Sequence, residues 1–233
     1  MALIALMNPK GGVGKTTLTV LIAGEFAQRG QDVLIIDIDS RQNIVRWSLQ
    51  PESAHPNIEV KGAPQLFQLE EALREESEKG WPRHVVVDTE GSDTPASVMV
   101  GMLATVILIP SKLGGQDLAA AVTTATKTLP EIESLYEQEY GEPKKIPHLL
   151  ILNEVDLILS KSKTFEGVGE MLMDHGVRLA KNRIWKRKAF TEITTVGGTV
   201  YNLEGTPAIL GPAQQQSKGL LDEIMEVIEN EAQ

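Results

Sequence analysis

Near the start of the chain, Lys10-Gly11-Gly12-Val13-Gly14-Lys15-Thr16-Thr17 packs three glycines, two lysines and two hydroxyls into one short run. Glycines let backbone N–H groups close around an anion, a lysine adds a point charge, and a threonine hydroxyl reaches a divalent cation. Between an apolar run and a helical pattern, that combination is the chemistry of a loop that cradles nucleotide phosphates. Gly11 through Thr17 would hold the phosphates, Lys15 would sit near the β and γ groups, and Thr16 would offer its hydroxyl to Mg²⁺. Four further polar residues stand at or just beyond the ends of apolar runs: Asp37 after Val33–Ile36, Asp39 two residues on, Asp88 after Val85–Val87, and Asn153 after Leu149–Leu152. Carboxylates suit Mg²⁺ or a hydrolytic water, and an amide both donates and accepts.

These residues need elements to position them. Ala2–Met7, Val33–Ile36, Val85–Val87, Val106–Ile109 and Leu149–Leu152 read as short buried strands, rich in branched side chains, with Ile58–Lys61 as an edge strand. Between them, helical spacing appears at Thr16–Arg29, Gln42–Leu49, Leu66–Lys79, Val98–Leu103, Leu118–Leu129, Glu131–Tyr140 and Phe165–Asp174, and finally at Lys218–Glu231. Thr199–Leu203 reads as irregular, and Arg178–Arg187 gives no clear pattern. Strands alternating with helices predict an α/β fold, a mostly parallel central sheet flanked by helices, with ligands at the carboxyl ends of the strands. Lys10, Asp37, Asp39, Asp88 and Asn153 all fall at those ends. Asp37 and Asp39 are one residue apart and point opposite ways if both lie in strand, so they are expected to do different jobs. For Asp39 a helix cap or Asx-turn competes with a catalytic role.

A standard phosphate loop reads G-x-x-x-x-G-K-[ST]. Here Pro9 stands where the first glycine belongs, and Lys10 opens the loop. Its long stem can carry a cation toward phosphate, on its own nucleotide or on a partner's. Lys10-Gly-Gly-Val-Gly-Lys15-Thr-Thr resembles the deviant Walker A motif of the ParA/MinD family of P-loop ATPases. Asp37-Ile38-Asp39-Ser40-Arg41-Gln42 resembles that family's Asp-x-Asp-Pro-Gln segment, and Val85-Val86-Val87-Asp88-Thr89 its Walker B strand. The resemblance covers Ala2 to about Asn153 and, more loosely, the remainder. It implies a P-loop NTPase architecture, ATP and Mg²⁺ as cofactors, and a homodimer when ATP is bound. It further implies that Lys10 reaches across to the partner's phosphates, that Asp37 and Asp88 help hold hydrated Mg²⁺, that Asp39 positions the attacking water, and that Asn153 contacts the adenine. Two departures stand out: Ser40-Arg41 replaces the family's Pro before Gln42, and Glu90-Gly91 replaces the Pro-Pro after Asp-Thr.

The 233 residues, 42% hydrophobic and 23% charged, fit one P-loop ATPase domain over 1–233. With the first strand starting at Ala2, no N-terminal operator-binding domain is expected. The absence of cysteine excludes thiolate metal sites and the iron-protein reductase relatives, and suits a cytoplasmic setting. No stretch approaches the length of a membrane span. The C-terminal helix carries Asp222, Glu223, Glu226, Glu229 and Glu231 beside its apolar stripe, which anionic lipid would repel, so no membrane partner is expected.

Net charge is −10, yet Arg178, Lys181, Arg183, Lys186, Arg187 and Lys188 form a dense basic run with no acidic residue among them. Such a run can neutralise duplex phosphates without reading sequence, or dock a protein. With the resemblance, it implies a DNA-segregation ATPase of small ParA type, nucleoid-associated through non-specific DNA and stimulated by a ParB-like partner. The competing expectations are a VirC-type positioning or DNA-transfer ATPase, and a nucleotide-gated scaffold that barely hydrolyses.

Overall fold

The computed structural model describes residues 1–91, 94–156, 158, 160 and 163–231. β1 (Leu3–Leu6), β2 (Val33–Asp37), β3 (Ile58–Gly62), β4 (His84–Asp88), β5 (Val106–Ser111) and β6 (His148–Leu152) form one sheet in the order β3-β2-β4-β1-β5-β6. Every pairing is parallel. Parallel strands need crossovers, and helices supply them: α1 (Lys15–Gln28), α2 (Asn43–Ser48), α3 (Leu66–Glu78), α4 (Pro95–Leu103), α5 (Gly115–Thr123), α6 (Leu129–Tyr140), α7 (Lys163–Asp174), α8 (Lys188–Thr195) and α9 (Pro207–Glu231).

Strand alternation divides the core between the two faces of the sheet. Ile4, Leu6, Ile35, Val86, Leu108 and Ile151 point to one face, where Leu18, Leu21 and Phe26 of α1, Phe190 and Ile193 of α8, and Leu220, Leu221 and Ile224 of α9 cover them. Leu3, Ala5, Leu34, Ile36, Val85, Val87 and Ile107 point to the other, under Leu69 of α3, Val100 of α4, Leu118 of α5, Ile132 of α6 and Leu172 of α7. Covered on both sides, these strands can be apolar throughout, which is why they read as unbroken hydrophobic runs.

Three segments differ from the sequence expectation. Helix α9 begins at Pro207 instead of Lys218; Gly211-Pro212 looks like a break, but the helix runs through Pro212, with buried Leu210 and Ala213 holding these turns to the core. Helices α5 and α6 are joined by a turn of π-helix at Thr124–Thr128, so no break separates them. Residues 178–186 run beside β6: Leu150 donates its N–H to Arg178, Ala180 to Leu150, Ile184 to Leu152 and Lys186 to Val155. This unclassified basic stretch is therefore an extended rim on the β6 edge, held by backbone bonds that no local pattern announces.

The acidic C-terminal helix packs as its stripe suggests, with Leu220, Leu221, Ile224 and Val227 buried. Arg29, at the C-terminal end of α1, donates to Asp222 at 2.7 Å and pins the two helices together at the surface. Among the described residues, no helix is long and apolar enough to cross a membrane.

Candidate functional site

The sheet register gathers the chemistry at one edge. Leu6 of β1 pairs with Asp88 of β4, and Asp88 pairs with Asp37 of β2, so the phosphate loop and two carboxylates leave neighbouring strands at the same level. The loop then turns into α1 through Gly12 (φ 75°) and Gly14 (φ 100°), left-handed conformations that favour glycine. A side chain at Gly14 is also sterically barred: its Cβ would lie 1.8 Å from Nδ2 of Asn153. Asn153 is 2% exposed and donates from Nδ2 to the carbonyl of Val13 at 2.8 Å. The residue expected to contact the base is thus found bracing the phosphate loop from below.

A second asparagine, one that the sequence marks only as a strand terminator, braces the loop from the side. Buried Asn8 donates to Pro110 O at 2.8 Å and accepts from the Lys10 N–H at 2.8 Å. Lys15 folds back into the loop, its ammonium donating to the carbonyls of Asn8 at 2.8 Å and Lys10 at 3.3 Å. Burial lowers its pKa, while Asp88 and Asp39 oppose the shift. No acidic residue occupies the first turn of α1, which leaves the positive end of its dipole to an anion. Lys10 extends along the surface, its Nζ 3.3 Å from Gln116 Oε1.

The carboxylates differ in burial and in hydrogen bonding. Asp37 is fully buried and accepts the N–H groups of Asp39 (3.1 Å), Ile44 (2.9 Å) and Val45 (3.2 Å), tying the start of α2 to the end of β2. Burial raises its pKa and those N–H groups pull it back. Asp39 is half-buried on the cavity wall, and its Oδ1 accepts the Arg41 N–H at 2.8 Å, an Asx-turn. Asp88 is 1% exposed; Thr16 donates its hydroxyl to Oδ2 at 2.7 Å, whereas Oδ1 has no partner among the described residues. Burial pushes the Asp88 carboxyl up to about 7, against the Thr16 bond and Lys15.

A cavity of about 690 Å³ opens against the loop. Gly11, Gly12, Gly14, Lys15, Thr16 and Thr17 form one wall; Asp39, Arg41, Asn43, Arg46, Trp47 and Gln50 form the other, with Glu90, Glu154 and Thr194 at the margins. The second wall, carried by α2 and its approach, went unread in the sequence beyond Asp39. Next to it, a smaller cavity of about 230 Å³ is lined by Thr17, Asn153, Trp185, Lys186, Arg187 and Phe190 among others. Lys186 and Arg187 therefore flank the phosphate site. The rest of the basic run is spread out: Arg178 lies 3.9 Å from Glu231, Lys188 pairs with Glu192 at 2.9 Å, and Arg183 stacks 4.3 Å over the Phe165 ring. Lys181, Arg183 and Arg187 share a groove with Pro212 and Gln216 of α9.

The Asp88 environment makes a prediction for stability. A carboxyl titrating near 7 in the folded chain, and near the ordinary carboxylate value when unfolded, loses its proton first from the unfolded state as pH rises. Stability therefore falls between about pH 4 and 7 and levels off above. Asp88→Asn is expected to remove that loss. The melting temperature of the variant, free of ligand, should exceed that of wild type by several degrees at pH 8, corresponding to a few kcal/mol or less, and converge with it near pH 4. A constant offset across that range would contradict the assignment.

The chain is similar to several known proteins. A family model described as an AAA domain matches residues 1–89, the span from β1 through the phosphate loop to the end of β4. The chain is 23% identical over 221 residues to the protein ParA of Rhizobium radiobacter, covering 94% of this chain and 93% of that one. In fold it resembles the MinD cell division protein of Aquifex aeolicus, with a TM-score of 0.73 at 17% identity over 97% of each chain. It also resembles the pNOB8 ParA bound to nonspecific DNA, with a TM-score of 0.62 at 17% identity over 98% of this chain and 99% of that one. With the loop between β1 and α1, the acidic strand ends beside it and a similarity to ParA over nearly the whole length, the chain resembles the ParA/MinD family of P-loop ATPases in both sequence and fold.

Proposed function

We propose that this chain is an ATP-driven partition or positioning ATPase that binds ATP·Mg²⁺ on Gly11–Thr17, pairs face to face on ATP, and hydrolyses it to ADP and phosphate. The observation that carries the reading is the hydrogen bond from the hydroxyl of Thr16, a cavity-lining residue, to the buried, half-partnered Asp88 carboxylate. Two hard oxygen donors of that kind suit Mg²⁺, which keeps most of its waters and takes one or two protein ligands. When bound, Mg²⁺ neutralises charge on the β and γ phosphates. Thr16 and Asp88 would hold it, with Asp37 acting through water and through its grip on α2. Lys15 would leave the carbonyls of Asn8 and Lys10 for phosphate. Asp39, on the wall opposite the loop, would orient a water in line with the terminal phosphate and accept its proton. Asn153 would act on the nucleotide by keeping Val13 and Gly14 in place.

Lys10 lies at the surface with its ammonium against Gln116, free to swing outward. In the proposed dimer it reaches the partner's phosphates. Scattering with a slowly hydrolysed ATP analogue should show a dimer for wild type and a monomer for Lys10→Ala, with ATP binding largely retained. A wild-type protein that binds the analogue yet stays monomeric at tens of micromolar would remove the dimer from the account.

DNA is the proposed track, by analogy with the pNOB8 ParA complex with nonspecific DNA. The groove that Lys181, Arg183 and Arg187 line together supports it, since it gathers three cations of the basic run on one surface. Binding should require ATP, because two clusters neutralise more phosphates than one. It should weaken with salt, with a log–log slope of about −0.9 per phosphate contacted. Triple replacement of Lys181, Arg183 and Arg187 by alanine should weaken binding equally on unrelated duplexes. If the ATP dimer shows no retardation of long duplex at low salt, the track is a protein surface.

A further inference from the structure

The two places where the sequence departs from the family pattern meet in space. Ser40 Oγ donates to Glu90 Oε1 at 2.9 Å, although 50 residues separate them. The bond ties the segment after β2 to the segment after β4 at the mouth of the large cavity. Residue 41 follows immediately, and its backbone is fixed as well: its N–H is held by Asp39 Oδ1, and Gln42 N–H donates to Asp39 O at 2.9 Å. The loop that carries Arg41 is therefore built, anchored at Asp37, Asp39 and Glu90.

Arg41 lines the same cavity as Gly12, Lys15 and Thr16, and its charge is close enough to lower the pKa of Lys15. Among the described residues its guanidinium makes no ion pair, on a protein of net charge −10 where carboxylates are plentiful. Two cations lining one cavity repel, and a polyanion bound there is attracted to both. The planar guanidinium fork suits phosphate oxygens better than an ammonium does. Position along the loop selects the phosphate: Arg41 is two residues beyond Asp39, which the proposed mechanism places beside the terminal phosphate.

We propose that Arg41, held by the Ser40–Glu90 clamp, is a cation supplied within the same chain for the terminal phosphate, and that it makes the site discriminate nucleoside triphosphate from diphosphate. The inference rests on the nucleotide-site reading above. It assigns no bond making to Arg41; the guanidinium binds the phosphoryl oxygens whose charge changes as the terminal phosphate leaves. Arg46, one turn into α2 on the same wall and also without an ion pair, provides an internal comparison.

The test measures affinities of the full chain for ADP·Mg²⁺ and for a slowly hydrolysed ATP analogue with Mg²⁺, in wild type, Arg41→Ala, Arg41→Lys, Arg46→Ala and Ser40→Ala. Arg41→Ala should weaken the triphosphate by about 10- to 100-fold and the diphosphate by less than about 3-fold, with partial rescue in Arg41→Lys. Ser40→Ala should give a smaller loss of the same selectivity. Equal weakening of both nucleotides, no weakening, or the same triphosphate-selective loss in Arg46→Ala would overturn the proposal. A wild type that binds neither nucleotide would instead defeat the underlying nucleotide-site reading, so the two failures are distinguishable.

Discussion

Lys15→Ala is expected to bind ATP about 10- to 100-fold more weakly than wild type, the loss typical of a charged hydrogen-bond partner removed from a desolvated site. In the structure the Lys15 ammonium rests on the carbonyls of Asn8 and Lys10, at the centre of the loop where phosphate would sit. Burial already disfavours its charge, so an arriving anion restores a partner that the backbone supplies only partly. The alanine variant leaves two loop carbonyls without their donor and should soften the loop as well. A melting curve in the absence of nucleotide separates the effects: the variant should remain folded, and millimolar ATP should raise its melting temperature far less than it raises that of wild type. Equal thermal shifts in the two proteins would show that nucleotide binds elsewhere.

The second large effect is on turnover. Asp39→Ala should lower steady-state phosphate release by about 100- to 10,000-fold, the range for loss of a positioned general base, while ATP affinity changes little. Asp39 lines the cavity with the phosphate loop, half-buried and holding one backbone amide, whereas its neighbour Asp37 is fully buried and holds three. The variant should accumulate as an ATP-bound dimer. Wild-type turnover in Asp39→Ala would reduce this residue to its Asx-turn and move the water to another group, Glu90 being the nearest candidate on the margin of the same cavity. Wild type with negligible release even at saturating ATP and DNA would favour a nucleotide-gated scaffold.

Much of this was legible in the sequence, for a physical reason. Strands buried on both faces are written as unbroken runs of branched residues, and the phosphate loop needs glycine at positions such as Gly12 and Gly14, whose φ values are positive. Chemistry at strand ends is also local, which is why Asp37 and Asp88 could be picked out singly. Their adjacency depends on the pairing of β2 with β4, a contact across 51 positions that no periodicity encodes. The same limit hid the second wall of the cavity. Arg41 and Glu90 were visible only as departures from a pattern, and the Ser40–Glu90 bond that gives them meaning exists only after the sheet forms. Asn153 carried a local cue, a polar residue closing a strand, but the cue could not separate a hand on the base from a strut under Gly14. The basic run 178–188 shows the opposite error. Contiguous in sequence, it is divided in space among a rim strand, a cation–π stack, two ion pairs and the wall of a small cavity beside Thr17.

The central claim is that the Gly11–Thr17 loop and the Thr16–Asp88 pair form one ATP·Mg²⁺ site. Calorimetric titration of the wild-type chain with a slowly hydrolysed ATP analogue, with and without Mg²⁺, tests it most directly. The account predicts saturable binding of one nucleotide per chain, clearly tighter with Mg²⁺ than without, and loss of the Mg²⁺-dependent gain in Asp88→Asn. A folded wild-type chain that takes up no heat at millimolar nucleotide, or binds equally well with and without Mg²⁺, would contradict it.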